Sequence, residues 1–150
     1  MNLRIFKFGM GLWPPFLGVG IKVKHIAADF REVVVSMKLR WYNRNYVGTH
    51  FGGSLAAMTD PFYMLMLIHI LGNEYTVWDK TSTIDFIAPG RGTVTARFRL
   101  KDEQITEIKE NTAKGDAYLP EFSVDIVNES GEVIATVKKI LYVRKKQSQP

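Results

Sequence analysis

The densest cluster of chemically able residues is Asn45-Tyr46-Val47-Gly48-Thr49-His50-Phe51-Gly52-Gly53, followed seven residues later by Asp60. Gly52 and Gly53 open a long apolar run. Glycine admits close approach by a ligand or another backbone. A helix starting there leaves unpaired N–H groups, whose partial positive charge suits a developing oxyanion. Asp60 falls two turns on, where a carboxylate among apolar neighbours is costly unless it is paired or functional. Pro61 follows directly, removes a helical hydrogen bond and disfavours helical geometry at Asp60. Asp60 is therefore expected at a kink, either as a functional group or as one that satisfies the kink by hydrogen bonding. His50 can serve as a base, orient a carbonyl, or simply pack.

Other chemistries find less support. The three histidines, His25, His50 and His69, are dispersed and there is no cysteine, so no metal site is expected. Ser54 near His50 lacks the turn motif of a nucleophile elbow, which argues against a serine triad. No glycine-rich phosphate loop is present, and no tightly bound cofactor is expected. Arg91, Arg97 and Arg99, together with Lys101, make one strand region basic. They could hold the phosphates of a coenzyme A substrate or form a solvated sheet face. The net charge of +5 favours anionic partners, but no RNA-binding signature accompanies it, so no nucleic acid partner is expected.

The elements that must position these residues follow from periodicity. Val33, Val35, Met37, Leu39 and Trp41 alternate with Ser36, Lys38 and Arg40, as on a strand with one buried face. Ile21 to His25 forms a shorter strand before it, with Asp29 to Glu32 as the turn. Residues 52–71 are apolar all round, as in a fully buried helix. Asp60, Pro61 and His69 argue against a membrane span there. Strands are expected over 77–88, 93–101, 121–127 and 132–144, with a short helix over 102–114 and a hairpin turn at Asn128-Glu129-Ser130-Gly131. Val94, Ala96, Phe98 and Leu100 should face inward. Residues 1–17 should form a helical segment interrupted by Gly9, Gly11, Pro14 and Pro15. It lacks a cleavage site and should pack on the domain, with a peripheral membrane anchor as the alternative and no stable membrane insertion. Residues 145–150 should fray.

With 46% hydrophobic and 23% charged residues in 150, one soluble domain spanning the chain is expected. The absence of cysteine is compatible with a reducing compartment, and a cytoplasmic location is the expectation. Two strands, a buried helix and then strands without intervening long helices should give an antiparallel sheet curled around one helix. That is an α+β chain with the hotdog architecture.

The run Gly48 to Asp60 resembles the helix start of the phenylacetate-pathway-type hotdog thioesterases. Asp60 matches their acidic position, Gly52 and Gly53 their glycines, and Asn45 roughly their asparagine. Their histidine directly precedes the glycine pair; here Phe51 stands there and His50 is one residue earlier. Asp60-Pro61-Phe62-Tyr63, Val77-Trp78-Asp79-Lys80 and Ile84 to Gly92 are similar to the DUF4442 subfamily of hotdog proteins. The resemblance implies an acyl-CoA or other acyl thioester substrate, with Asp60 as general base or nucleophile. It also implies polarisation of the carbonyl by the N–H of Gly53, with or without that of Ser54, and a homodimer or dimer of dimers in which Asn45 completes the partner's site. A non-catalytic acyl or lipid binder and a hotdog hydratase or dehydratase are the alternatives.

Overall fold

The computed structural model describes residues 3–147. Seven strands form one antiparallel sheet. They are β1 (Ile21–Ile26), β2 (Glu32–Lys38), β3 (Tyr75–Phe86), β4 (Thr93–Arg99), β5 (Ala117–Tyr118), β6 (Glu121–Val127) and β7 (Val133–Lys145). Their order is β1-β2-β4-β6-β7-β3, with β5 added against β7. The sheet curves around the interior segment, which is two helices, α3 (Gly52–Ala57) and α4 (Phe62–Leu71). Met58, Met66 and Leu67 of this segment meet Val35, Met37, Ala96, Phe98, Ile126 and Val137 of the strands in one core. This is the hotdog fold expected from the sequence.

The break between α3 and α4 falls where Pro61 requires it. Approaching the proline, the N–H groups of Thr59 and Asp60 turn to the carbonyls of Ala56 and Ala57, three residues back. The Thr59 hydroxyl also donates to Ala56 O, and ordinary spacing resumes with Leu65 N–H on Pro61 O. Tightened turns of this kind satisfy groups that an interrupted helix would orphan. The whole segment, residues 52–71, is apolar enough by length and composition to cross a membrane, but more than half of it is buried inside the fold.

The strands confirm the alternation where both neighbours are regular. Val94, Ala96, Phe98 and Leu100 are all buried, and Asn128 to Gly131 closes the β6–β7 hairpin. Four details differ from expectation. Trp41 does not join the buried face: β2 ends at Lys38, Asn43 Oδ1 accepts from Arg40 N–H to turn the chain, and Trp41 is 81% exposed. Val34 and Ser36, on the nominal outer face, are buried. They lie on an inner strand flanked in register by His25, Arg97, Lys22 and Thr95, whose stems shade them. Glu32 begins β2 instead of ending the turn, and five strands follow the helices instead of four, because two-residue β5 is too short to show a period.

At the N-terminus α1 (Leu3–Leu12) and α2 (Pro14–Val19) divide at Trp13, with Pro14 opening the second helix. Helix α5 (Asp102–Thr112) buries Ile105 and Ile108. Phe30 holds a left-handed conformation, φ 57°, that non-glycine residues rarely adopt. Its ring stacks on His69 at 4.0 Å, which places His69 at the rim of the core. Lys145 does not fray, since it ends β7, and Lys146 is bonded to Glu74 O and Asn73 O; Gln147 is exposed beyond the strand, and residues 148–150 of the expected frayed tail and the first two residues of the N-terminal segment lie outside the described residues.

Candidate functional site

Of the sequence-predicted site residues, Asn45, His50 and Arg91 line one cleft and Asp60 lines another, at opposite ends of α3. The first, of about 560 Å³, is lined by Asn45, His50, Gly52, Phe86 and Arg91 among others. Asn45 closes its own turn there: its Oδ1 accepts from Thr49 N–H and its Nδ2 donates to Thr49 Oγ1, both at 2.9 Å. His50 is buried. Its Nε2 lies 3.0 Å from Gly92 O and its backbone N–H donates to Gly90 O, so it clips the loop to the 90–92 turn. Donation from Nε2 makes Nδ1 the acceptor, and Nδ1 is buried without a partner among the described residues, as is Ser54 Oγ. Burial holds the His50 imidazole below the ordinary histidine range, although the Gly92 contact pulls the other way. It is therefore neutral at physiological pH.

Two exposed rings close on the glycine pair and would have to shift for any larger residue. A Cβ on Gly52 would sit 2.8 Å from the Phe86 ring, and one on Gly53 would sit 2.5 Å from the Phe51 ring. No side chain caps α3. The N–H of Ser54 and that of Leu55 both point to Phe51 O. Ser54 N–H is thus engaged, and of the two expected carbonyl donors Gly53 is the one for which the described contacts show no partner.

Asp60 lies at the other end, lining a cleft of about 390 Å³ with Trp13, Phe16, Ala57, Ser82 and Ile84. It stands at the helix break as expected, but it is not the group that satisfies the break. Lys139 does that. This lysine, on β7, has a side chain with 0% exposure, and its Nζ donates to Asp60 O at 2.7 Å. The same Nζ lies 3.3 Å from Asp60 Oδ1 and 3.2 Å from Asp79 Oδ1. The Asp60 carboxylate remains 63% exposed, open to the cleft. Asp79 has the opposite environment: burial raises its carboxyl above the usual range, Lys139 opposes that, and Asp60 adds to it.

Lys139 and Asp79 were not among the expected site residues. Lys139 carried a readable signal: Ala135, Val137, Leu141 and Val143 share one parity along β7, all are buried, and Lys139 falls among them. Asp79 depends on a bulge at Lys80, where the pairing steps from Asp79↔Leu141 to Thr81↔Ile140. The extra residue shifts the inward parity from Val77 and Asp79 to Ser82 and Ile84, so both pairs face the helices.

The basic strand residues separate. Arg91 is exposed at the first cleft. Arg97 and Arg99 line neither cleft; both pair with Glu32 across the β2–β4 register, at 2.6 Å and 2.8 Å. Among the described residues no group of histidine and carboxylate side chains is arranged to hold a metal.

A protein-family model described as a domain of unknown function, DUF4442, matches residues 3–143. The chain belongs to this family. No curated protein matches the sequence. Among solved structures, it is similar to a Pseudomonas aeruginosa protein of unknown function described as a probable thioesterase. The identity is 17%, 97% of each chain is covered, and the TM-score is 0.84. It is also similar to a Haemophilus influenzae thioesterase, with 15% identity, 99% of this chain and 96% of that one covered, and a TM-score of 0.70. At these identities the likeness establishes the shared hotdog fold.

Two outcomes follow. The unfolded chain takes up a proton on His50 near pH 6.5, whereas the folded chain does so only at lower pH. The stability from a neutral His50 is therefore complete above about pH 6.5 and is lost as pH falls below it. Melting temperature should drop between about pH 7 and pH 5, and less steeply in His50→Gln; equal slopes would show that His50 is not the group responsible. Separately, Lys139→Met should lower the urea unfolding free energy by about 3 kcal/mol, because it strands Asp79 and the Asp60 carbonyl. Adding Asp79→Asn should recover much of that loss, and strictly additive effects would mean that the two side chains are not coupled.

Proposed function

We propose that the protein hydrolyses acyl thioesters, with Asp60 as general base on the attacking water. The observation that carries this reading is the division of labour at the helix break. Lys139 satisfies the carbonyl beside Pro61 and pairs with one Asp60 carboxylate oxygen, and the Asp60 side chain still stays largely exposed and open to the cleft. A positioned carboxylate of this kind can take a proton from water as it attacks the carbonyl carbon; collapse of the tetrahedral intermediate then expels the thiolate. In this reading Gly53 N–H polarises the carbonyl, and Arg91, at the mouth of the first cleft, is placed better than Arg97 or Arg99 to meet the phosphates of acyl-CoA.

One chain does not bring these groups to one carbonyl. Gly53 and Asp60 are seven residues apart, about 10 Å along a helix axis at 1.5 Å per residue. The carbonyl oxygen and the water that attacks its carbon must both lie within about 3 Å of their protein partners. The missing half is therefore assigned to a second copy. Strand β3 supports this: it is 12 residues long, it ends the sheet order, and its other edge is free to pair. A dimer that continues the sheet across β3 is the proposed active form, with Asn45 and Gly53 from one subunit serving Asp60 of the other. A histidine-and-acid pair for hydration chemistry is less supported, since no acidic side chain lines the His50 cleft.

Asp60→Asn keeps shape and removes the proton acceptor. Its turnover of acyl-CoA substrates across a range of chain lengths should fall roughly 100-fold or more with little change in melting temperature. A folded Asp60→Asn protein with full activity would remove Asp60 from the chemistry, and wild-type protein that binds acyl-CoA without turnover would make it an acyl binder. Light scattering at micromolar concentration should give twice the chain mass or a multiple of it. A stable monomer that retains activity would refute the shared site.

A further inference from the structure

Helix α1 carries two apolar stripes, and the fold uses one. Phe6 and Met10 face the body: the Phe6 ring meets Phe30 and His69 edge-on, and Met10 packs on the core. The second stripe, Ile5, Phe8 and Leu12, has helical spacing and faces solvent, with Phe8 68% exposed; Leu17 on α2 extends it. Exposed large apolar side chains are ordinary when scattered, but a contiguous row beside a groove marks an interaction surface.

The surroundings indicate what covers it. Phe8, Leu12 and Leu17 share a groove of about 580 Å³ with Lys7 and Lys22, and no acidic side chain lines it. The groove abuts a second depression, which shares Lys22 and Tyr42 with it and adds Lys24, Lys38 and Arg40, again with no acid. Lys7 Nζ donates to Lys24 O, which holds the lysines together at the border, and an apolar row bordered by cations with no acidic side chain among the described lining residues is the chemistry of an interfacial helix on an anionic bilayer. There the aliphatic and aromatic groups enter the headgroup boundary and the lysines meet phosphates. A second copy docking here would oppose like charges. A nucleic acid would leave the aliphatic stripe in water.

We infer that this face, centred on Phe8 and bordered by Lys7, Lys22 and Lys24, docks the protein on the surface of membranes that contain anionic phospholipid. The contact is peripheral, lying in the interface without crossing it. It is independent of the proposed catalysis and of the β3 edge.

Sedimentation of the full chain with vesicles tests it. Vesicles of phosphatidylcholine with roughly a third phosphatidylglycerol should carry the protein down, and pure phosphatidylcholine vesicles should not. Raising salt should weaken the binding. Lys22→Gln/Lys24→Gln should lower partitioning roughly tenfold or more, and Phe8→Asp should abolish it. Both variants should melt as wild type does, because these side chains are exposed. The inference is overturned by no sedimentation with anionic vesicles, by equal sedimentation with neutral ones, or by binding that both variants leave intact. It is also overturned if Phe8→Asp reduces the oligomeric state, since a second copy would then be the occupant.

Discussion

A lysine ammonium withdrawn from water must be surrounded by oxygen atoms, and Lys139 is withdrawn completely. Its position on β7 lets one cation reach the interior helix through Asp60 and the edge strand through Asp79. Pro61 creates the need: a proline inside a buried segment interrupts the helical bonding, and the Asp60 carbonyl requires a partner from elsewhere. An apolar residue at position 139 would leave that carbonyl and the half-buried Asp79 without compensation. The bulge at Lys80 turns Asp79 inward, and the Lys139 cation meets it there together with one Asp60 carboxylate oxygen.

The fold was legible where one physical signal dominated. Near-continuous hydrophobicity over residues 52–71 identified the interior helical segment, and strict alternation over residues 94–100 identified β4, because burial on all sides and burial on one side leave different periods. The signal failed where neighbours set burial. Ser36 is covered because its strand lies between two others, and Trp41 is exposed because Asn43 ends the strand before it. Neither fact is local to the residue.

The site was legible to the same degree. Asp60 beside Pro61 is anomalous within a few residues, so the helix break could be read directly. Its partner lies 79 residues away and was visible only as a charge on the wrong parity of β7. Asp79 could not be read by parity at all, because the bulge reverses the phase within its own strand. Arg97 and Arg99 show the reverse problem. Their spacing places both on one face of β4, where Glu32, distant in sequence and adjacent in register, engages both. A basic strand face becomes a phosphate site only if its charges lack partners, and that depends on pairing that no local pattern contains.

The proposed dimer joins two features that look unrelated in one chain. A 12-residue strand with an open edge is a hazard, since it offers unpaired N–H and C=O groups to any strand it meets. Groups at opposite ends of α3 cannot flank one carbonyl. Pairing β3 with a second copy would answer both, because that strand contributes to each cleft: Phe86 packs on Gly52 at one, and Ser82 and Ile84 line the Asp60 cleft at the other. On that reading the exposure of Asp60 in a single chain is the condition of a surface awaiting its partner. Lys139 then has a second role: it fixes the helix break from beneath, so that the Asp60 carboxylate is positioned before the partner arrives.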